Sequence, residues 1–363
     1  MSAGAIKGIW LHSHWFEAEA IASGQAAAAL QKLAVPEPVQ HFLKNWFSST
    51  EAIVAHTSGS TGKPKAINLS RDQMIASAQL TALHFGFRTG QKALLPLSAD
   101  FIAGKMMLVR AMVSSLDIYT AAPTQRPDLL FPEQQFAFTP LVPAQLFAML
   151  QAGASTAALG TLLLGGSDVS NDLQALFPKL GEQQLWQGFG MTETVSHLAL
   201  RQLHPNYETP YTPLPGLLVQ CNEQNCLRVW GATTQYRWLQ SNDVIDLAPD
   251  GGFRWLGRAD NVINSAGHKI HPEQLEAKLA VLASQIPELA ELLHAPFFIS
   301  QQSHPQFGAV PVLVLEAAAA PQNASLEHWQ ALLQPHLASH EMIRGLRFES
   351  VFARTANGKL LRH

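Results

Sequence analysis

A hydroxyl-rich segment at residues 56–65 has the composition expected of a binding site for a polyanion. Its residues are His56-Thr57-Ser58-Gly59-Ser60-Thr61-Gly62-Lys63-Pro64-Lys65. The backbone N–H groups, hydroxyls and two ammonium groups of such a loop can all turn toward one chain of phosphates. The segment is not a Walker A loop, because Pro64 stands where that motif has serine or threonine. Considered alone, this composition is also typical of a flexible polar surface loop.

Apolar runs and helical patterns alternate between residues 52 and 164, which predicts an α/β domain with a mostly parallel sheet. We expect strands at 52–55, 67–69, 93–97, 117–120, 136–139 and 161–164, and helices at 71–85, 106–113 and 143–150. Ligands of such sheets bind beyond the carboxyl ends of the strands. Two more segments of suitable composition follow predicted strands, namely Gly165-Gly166-Ser167 and Gly188-Phe189-Gly190-Met191-Thr192-Glu193-Thr194. Together with the hydroxyl-rich segment, they predict one site at the edge of the sheet.

The flanking parts of the chain show different patterns. Residues 1–50 are predicted to be mainly helical, with helices at 17–33 and 39–47. Short β-like runs separated by turns between residues 217 and 256 predict a small β subdomain. Beyond residue 260, an α+β pattern with a helix starting at Pro272 predicts a separate small domain. We therefore expect a large domain at residues 1–259 and a small C-terminal domain at residues 260–363.

Composition bears on several classes of protein. A formal net charge of −3, without clusters of lysine and arginine, argues against a nucleic-acid partner. Cys221 and Cys226 have no matching second pair, so we predict reduced thiols and neither a disulfide framework nor a zinc site. No apolar run reaches the roughly 18 residues of a membrane helix, and the first ten residues do not resemble a signal peptide. These features predict a cytoplasmic protein without a membrane span.

Six segments, in the same order along the chain, resemble the motifs of the acyl-adenylate-forming (AMP-binding) superfamily. Residues 57–65 resemble its phosphate loop, 165–167 its adenine turn, 188–194 its aromatic-Gly-x-Thr-Glu motif, 241–243 its ribose-binding aspartate segment, 257–270 its hinge motif and 354–359 its C-terminal lysine motif. The superfamily includes acyl-CoA ligases, luciferases and the adenylation domains of peptide synthetases. Because six collinear motifs agree, the resemblance is specific.

The resemblance implies an ATP-dependent acid–CoA ligase that uses Mg²⁺ and works through an acyl-adenylate. The residues it implies for ATP are Thr57, Ser58, Gly59, Ser60, Thr61, Gly62, Lys65, Gly165, Gly166, Ser167, Gly188, Phe189, Gly190, Met191, Thr192, Asp243 and Arg258. The implied catalytic residues are Lys359, Thr192, Glu193 and Lys65, and Glu193 would also hold the metal ion. After adenylation the small domain would turn about Asp260, and Gly267, His268 and Lys269 would line the tunnel for the pantetheine arm of CoA.

Two stretches resemble, more narrowly, the short bacterial 2-succinylbenzoate–CoA ligases of menaquinone synthesis. These are residues 101–110 and 191–197, which imply Phe101, Gly104, Arg110 and Ser196 as contacts of the acid. Arg110 interrupts an otherwise apolar helix, and a guanidinium suits the second carboxylate of a dianionic acid. The alternative is an arginine that extends to the surface. Phe101 departs from the pattern, since related chains commonly have histidine there.

Two other hypotheses stay open at this point. The chain could be a CoA ligase, or an adenylation enzyme that loads a carrier protein, for a different aromatic or aliphatic acid. It could also be a non-catalytic nucleotide-binding remnant, because only 56 residues precede the implied phosphate loop, fewer than the family normally has. That short lead also fits a compact or dimer-completed enzyme. Intact Thr192, Glu193, Asp243, Arg258 and Lys359 argue against the remnant.

Overall fold

A computed structural model describes residues 6–48, 52–56, 65–318, 325–354 and 360–362 of the chain. Its α-helices are α1 (Ala18–Ser23), α2 (Ala27–Lys32), α3 (Glu37–Ser48), α4 (Arg71–Phe85), α5 (Ile102–Ser114), α6 (Pro143–Gln151), α7 (Asn171–Gln174), α8 (Pro272–Gln285), α9 (Pro287–Leu292) and α10 (Leu326–Leu333). Its strands are β1 (Gly8–Leu11), β2 (His14–Glu17), β3 (Ile53–His56), β4 (Ala66–Leu69), β5 (Lys92–Leu95), β6 (Asp117–Thr120), β7 (Phe138–Leu141), β8 (Thr161–Leu164), β9 (Leu185–Gly190), β10 (His197–His204), β11 (Thr212–Pro213), β12 (Leu218–Cys221), β13 (Cys226–Trp230), β14 (Leu239–Leu247), β15 (Phe253–Arg258), β16 (Ile263–Ser265), β17 (His268–Ile270), β18 (Phe297–His304), β19 (Gly308–Glu316) and β20 (Leu346–Glu349).

A nine-stranded sheet forms the centre of the large domain, in the order β11-β10-β9-β8-β7-β5-β6-β1-β2. The six strands from β9 to β1 are parallel, whereas β10, β11 and β2 run antiparallel to their neighbours. All four residues of both β6 and β7 are buried, as expected for a parallel sheet that is covered on both faces. The predicted α/β architecture is therefore confirmed.

Helices cover this sheet on both sides because its strands alternate apolar side chains between two cores. Leu95 faces the core that contains α4 and α5, and Leu94 faces the core that contains α6. α4 begins where it was predicted, at a capping box formed by Ser70 and Gln73, and it ends at Gly86 in the left-handed conformation. The capping residue Ser70 and the glycine at position 86 are therefore sequence signals for the two ends of α4.

The prediction of a mainly helical N-terminus is wrong for its first part. β1 and β2 form a hairpin at one edge of the sheet, and β1 runs parallel to β6. The turn residues His12 and Ser13 have positive φ, and Asp117 accepts hydrogen bonds from the Ser13 N–H at 2.8 Å and hydroxyl at 2.9 Å. Partners about a hundred residues away thus determine this hairpin, and no local pattern reveals them. The predicted helix at 17–33 is also divided in two, at Gly24.

A second hairpin, outside the main sheet, flanks the hydroxyl-rich segment. β3 pairs antiparallel with β4, so this segment connects two strands of a hairpin and does not follow a strand of the parallel sheet. Residues 57–64 of the segment lie outside the described residues. β4 contacts the 3-10 turn Thr192–Thr194, which brings the exposed Lys65 side of the segment to the end of β9.

The remaining elements form two smaller sheets. β12 to β15 make the antiparallel subdomain that was predicted from the turns between residues 217 and 256. In the C-terminal part, β16 to β20 form a sheet whose core is shared with α8, α9 and α10. Among the described helices, none combines the length and the apolar character needed to cross a membrane.

Candidate active site

Two of the predicted glycine-rich segments lie side by side at the carboxyl edge of the main sheet. Gly165 follows β8, Gly188 belongs to β9, and the pairing of Leu164 with Gln187 places the two segments next to each other. Gly166 has a φ of 91°, a conformation that favours glycine. A Cβ added to Gly165 would meet no described atom within 4 Å, so the described residues leave space beside Gly165. The structure thus brings the two segments together as predicted.

The turn after β9 has a rigid hydrogen-bonded base. The Thr194 hydroxyl accepts a hydrogen bond from the Met191 N–H at 3.0 Å and lies 2.9 Å from the carbonyl oxygens of Met191 and Ser196, to either of which it can donate. Thr194 is fully buried, whereas Thr192 and Glu193 are half-buried at the top of the turn. Because β4 packs against this turn, Thr192 and Glu193 lie close to the strand that follows the hydroxyl-rich segment.

Close approach of β9 and β10 explains the glycines of this motif. A Cβ on Gly190 would lie 2.1 Å from the carbonyl oxygen of Ser196 and 2.6 Å from Cα of His197. A Cβ on Gly188 would lie 3.0 Å from Cβ of His197. The absence of side chains at Gly188 and Gly190 therefore makes room for Ser196 and the His197 ring.

Arg110 is buried in the interior, next to Ser196. The side chain is 2% exposed, and Nη2 donates a hydrogen bond to the Ser196 hydroxyl at 2.8 Å. Its Nε has no hydrogen-bond partner, and no carboxylate in the described part of the chain lies within ion-pair distance. Burial lowers the pKa of Arg110 to about 10, so the guanidinium is still charged at neutral pH. The alternative of an arginine that extends to the surface is excluded.

Two polar residues that the sequence analysis did not identify complete this cluster. His197 is buried, with Nδ1 3.5 Å from Arg110 Nη2 and Nε2 3.0 Å from the Thr81 hydroxyl. Thr81 comes from α4, Arg110 from α5 and His197 from β10. Thr81 precedes His197 by 116 residues in the sequence, and Arg110 precedes it by 87. No sequence motif spans such distances.

The other two predicted contacts of the acid do not lie beside Arg110. Phe101 directly precedes α5, and its side chain is 42% exposed. Phe101 lies nine positions before Arg110, which corresponds to about 13 Å along a helix axis. Gly104 packs α5 closely against the preceding turn, since a Cβ there would lie 2.2 Å from the carbonyl oxygen of Ser98. The structure therefore gives Gly104 a packing role.

Asp243 and Arg258 are directly opposite each other on β14 and β15. Asp243 Oδ1 accepts a hydrogen bond from Trp255 Nε1 at 3.1 Å and lies 3.9 Å from Nη1 of Arg258. Arg258 Nη2 also donates to Asp260 at 3.0 Å, and Asn242 Nδ2 donates to the same carboxylate at 3.1 Å. The predicted ribose-binding and hinge residues thus belong to one cluster held by hydrogen bonds and ion pairs, in which roles for Trp255 and Asn242 were not anticipated.

An aromatic cluster connects this small sheet to the main sheet. The Phe189 ring lies 5.3 Å from Tyr211 and 5.2 Å from Phe253, between ring centroids. Arg201 stacks over Tyr211 at 4.7 Å, and burial raises the pKa of Tyr211 to about 12, so its phenol is neutral. Phe189 is therefore fixed by packing against the rings of Tyr211 and Phe253.

The predicted CoA residues form the tip of the β16–β17 hairpin. Ala266 and Gly267 make a two-residue turn with φ values of 49° and 84°. His268 stacks on His340 with ring centroids 4.4 Å apart, and both His268 and Lys269 are exposed. This hairpin belongs to the C-terminal sheet.

Lys359 lies outside the described residues, but both sides of its motif are held by ion pairs. On one side, Arg354 pairs with Glu316 at 2.6 Å. On the other, Arg362 donates two hydrogen bonds to Glu276 of α8, at 2.6 and 2.7 Å. The Leu361 N–H also bonds to the carbonyl of Ala353 at 2.9 Å. The described residues on either side of 355–359 are therefore held next to each other.

Replacing Glu316 by glutamine should reduce stability in a pH-dependent way. Hydrogen bonds from Arg354 and then from the Phe352 N–H lower the pKa of Glu316 to about 2 from the ordinary 4.5. Its stabilising contribution is therefore complete above about pH 4.5 and is lost as the pH falls toward 2. We expect E316Q to melt about 1–3 °C below the wild type at pH 7, with the difference narrowing between pH 4.5 and 2. Thermal melts at several pH values test this.

The control is E182Q, a change at an exposed glutamate without an ion pair in the described structure. E182Q should follow the wild type at every pH. A difference between E316Q and the wild type that is independent of pH would contradict the assignment of the Glu316 pair.

Neither a metal-ligand cluster nor either of two surface concavities points to the predicted site among the described residues. The described residues include no group of three or more His, Cys, Asp or Glu that could hold a metal ion. Two surface concavities of about 460 and 290 Å³ are lined by residues 209–210, 246–249 and 253–254, and by residues 143–144, 147, 170 and 172–173. None of the predicted site residues is among them. The candidate site is therefore identified by the chemistry of its described residues.

Comparison with known proteins gives consistent results. The sequence model of the family described as "AMP-binding enzyme" matches residues 14–227. A 2-succinylbenzoate–CoA ligase of Listeria monocytogenes strain EGD-e is 22% identical over 365 residues, covering 94% of this chain and 75% of the relative. A solved structure from Dyadobacter fermentans, an "acyl-CoA synthetase (AMP-forming)/AMP-acid ligase II-like protein", is 34% identical, with a TM-score of 0.59 and coverage of 88% and 90%.

A more distant structure supports the fold alone. It is o-succinylbenzoate coenzyme A synthetase (MenE) from Bacillus subtilis in complex with ATP and magnesium ion, with 20% identity and a TM-score of 0.71. The match covers 86% of this chain and 70% of that one. The mixed α/β arrangement of a large sheet and a smaller C-terminal sheet is thus shared with solved structures.

Proposed function

This chain belongs to the family of AMP-binding enzymes and is an AMP-forming acyl-CoA ligase, and we propose that its acid substrate is the dianion 2-succinylbenzoate. The reaction would convert this acid, ATP and CoA into 2-succinylbenzoyl-CoA, AMP and pyrophosphate, with the thioester formed on the succinyl carboxylate and the ring carboxylate left free. The Listeria monocytogenes relative carries the name of this activity, which supports the proposal.

The observation that carries the choice of acid is the buried charge of Arg110. Burying a guanidinium among neutral groups is unfavourable, and an anionic ligand offsets that cost. In the described structure its hydrogen-bond partners are a hydroxyl and an imidazole, neither of which is negatively charged. A carboxylate that is not consumed in the reaction suits this position, because a guanidinium can bind it with two parallel hydrogen bonds.

The residues around the end of β9 fit ATP and Mg²⁺. Magnesium bound with a nucleotide usually takes only one or two protein carboxylates, together with phosphate oxygens and water. Glu193 offers one carboxylate, beside the strand that begins after Lys65. Bound Mg²⁺ would neutralise charge on the pyrophosphate, and Thr192 would contact the α-phosphate. Lys65 and the hydroxyl-rich segment would bind the outer phosphates, with Asp243 and Arg258 at the ribose.

The proposal extends to two domains with different tasks. Residues 1–259 would bind ATP and the acid, and residues 260–363 would deliver Lys359 for adenylation. A turn about Asp260 would then bring Gly267, His268 and Lys269 to the pantetheine arm of CoA. Asp260 suits a hinge because it lies in the short 3-10 turn between β15 and β16.

Pyrophosphate release with a panel of acids tests this function. With ATP and Mg²⁺, we expect turnover of 2-succinylbenzoate with a kcat/KM at least about tenfold above that of 4-oxo-4-phenylbutanoate, which lacks the ring carboxylate. Benzoate and a medium-chain fatty acid serve as further comparisons. Equal values for the dianion and its monocarboxylate analogue would contradict the choice of acid. Absence of release with every acid would contradict the ligase reaction itself.

A further inference from the structure

Thr81, His197, Arg110 and Ser196 form one continuous hydrogen-bonded chain between α4, β10 and α5. The Thr81 hydroxyl donates to the carbonyl of Ser77 at 3.0 Å, so its proton is already engaged. While it does so, its oxygen accepts a hydrogen bond from Nε2 of His197, 3.0 Å away. Because a guanidinium can only donate, the contact between Arg110 and Nδ1 needs a bare Nδ1, and we therefore assign the proton of His197 to Nε2.

The other ring nitrogen of His197 must then be a bare acceptor. Nδ1 lies 3.5 Å from Nη2 of Arg110 and 3.4 Å from the Ser196 hydroxyl, both of which can donate. Burial first, and then the charge of Arg110, lower the pKa of His197 well below its usual range, which keeps the imidazole neutral. Arg110 is thus held by an acceptor that does not cancel its charge.

This arrangement differs from the usual way of stabilising a buried arginine. A carboxylate at the position of His197 would form a strong pair and would occupy the guanidinium. A neutral imidazole fixed by Thr81 orients Nη2, while Nε has no partner in the described structure. The small residue Gly188 leaves the space for the ring, since a Cβ there would lie 3.5 Å from Nδ1 of His197.

We propose that His197 and Thr81 are positioning residues for acid specificity, which orient the Arg110 guanidinium through a neutral imidazole and leave its charge to the second carboxylate of the substrate. The proposal rests on the proposed function of Arg110. It adds that specificity for a dianion depends on a hydroxyl of α4 that does not bind the substrate itself.

Replacing Thr81 by valine tests the proposal with little change of shape. T81V removes the acceptor for the Nε2 proton, so the tautomer and orientation of His197 are no longer fixed. We expect the KM for 2-succinylbenzoate to rise about tenfold, and the KM values for ATP and for 4-oxo-4-phenylbutanoate to change less than twofold. The matched control T81S retains a hydroxyl and should stay within twofold of the wild type for all three. Equal effects of T81V on all three KM values would show a merely structural role and overturn the proposal.

Nitrogen NMR of the wild-type enzyme labelled with ¹⁵N-histidine reads the tautomer without any assay of activity. The resonances that H197F removes should correspond to a neutral ring protonated at Nε2, and T81V should shift them toward a mixture of tautomers. A ring protonated at Nδ1, or a charged imidazolium at neutral pH, would overturn the proposal even if the enzyme uses the dianion.

A double variant separates this inference from the proposed function. In the R110A background, T81V should no longer raise the KM for the dianion selectively, because its effect acts through Arg110. A selective effect that persists in R110A would overturn the positioning role. If R110A alone leaves discrimination between the two acids unchanged, the proposed role of Arg110 in binding the acid is wrong. The NMR experiment then still tests separately whether His197 is protonated at Nε2.

Discussion

Replacing Arg110 by alanine is expected to lower kcat/KM for 2-succinylbenzoate by roughly 10²- to 10³-fold, with the KM for ATP nearly unchanged. The reason is that the guanidinium is buried, charged and without a carboxylate partner in the described structure, so a substrate carboxylate would be bound in a poorly solvated place. The same variant should turn over 4-oxo-4-phenylbutanoate about as well as the wild type. Steady-state pyrophosphate release with both acids gives all of these values.

Two further variants at this position separate charge from shape. R110K retains a positive charge but lacks the planar fork, so we expect an intermediate loss for the dianion. R110M fills a similar volume without a charge, so we expect it to lose the preference for the dianion. Because no buried charge has to be desolvated, R110M should unfold at a higher temperature than the wild type. Comparable losses for both acids in R110A would mean that Arg110 supports the fold and not recognition of the acid.

Replacing Gly190 by alanine is expected to disrupt the site and the sheet together. The added Cβ would lie 2.1 Å from the carbonyl oxygen of Ser196 and 2.6 Å from Cα of His197, both of which are backbone atoms that cannot rotate away. β10 must therefore shift away from β9, carrying with it the partners of Arg110. We expect a loss of about 2–4 kcal/mol of unfolding free energy and, in the folded fraction, at least a roughly 100-fold lower kcat/KM for the acid. Denaturant titration and the release assay measure the two effects.

Gly165 provides the matched control for stability. It lies at the same edge of the sheet, yet a Cβ there would meet no described atom within 4 Å. G165A should therefore unfold at nearly the same denaturant concentration as the wild type. A G190A protein with wild-type stability and wild-type use of the acid would show that β9 and β10 are not packed as closely as described.

Much of the fold was predictable because it depends on local signals. The capping box at Ser70, the apolar strands β5 to β8 and the proline that begins α8 all act within a few residues. The N-terminal hairpin was missed for the opposite reason. Its turn is held by Asp117, and its first strand pairs with β6, contacts that no local periodicity reveals. For the same reason the strand β3 was expected in the main sheet, whereas it pairs with β4 in a separate hairpin.

The candidate site divides in the same way. Its motifs were recognised as segments, and the structure brings the ends of β8 and β9 together as predicted. Arg110 was identified because a charge stands out in an apolar helix. Ser196 was identified with it, but His197 and Thr81 were not, since they are ordinary polar residues until the fold places the imidazole beside the guanidinium and the Thr81 hydroxyl beside the imidazole. Phe101 and Gly104 lie away from Arg110 in the structure, and their contact with the acid stays a prediction.

The two arginine pairs beside the C-terminal lysine motif have a mechanical consequence. Arg354 is tied to β19 through Glu316, and Arg362 is tied to α8 through Glu276, so both flanks of residues 355–359 are attached to the same body. The described residues on both sides of the lysine motif therefore move only together with the C-terminal sheet and its helices. If the small domain turns as proposed, one rigid-body rotation would carry both flanks of the motif at once.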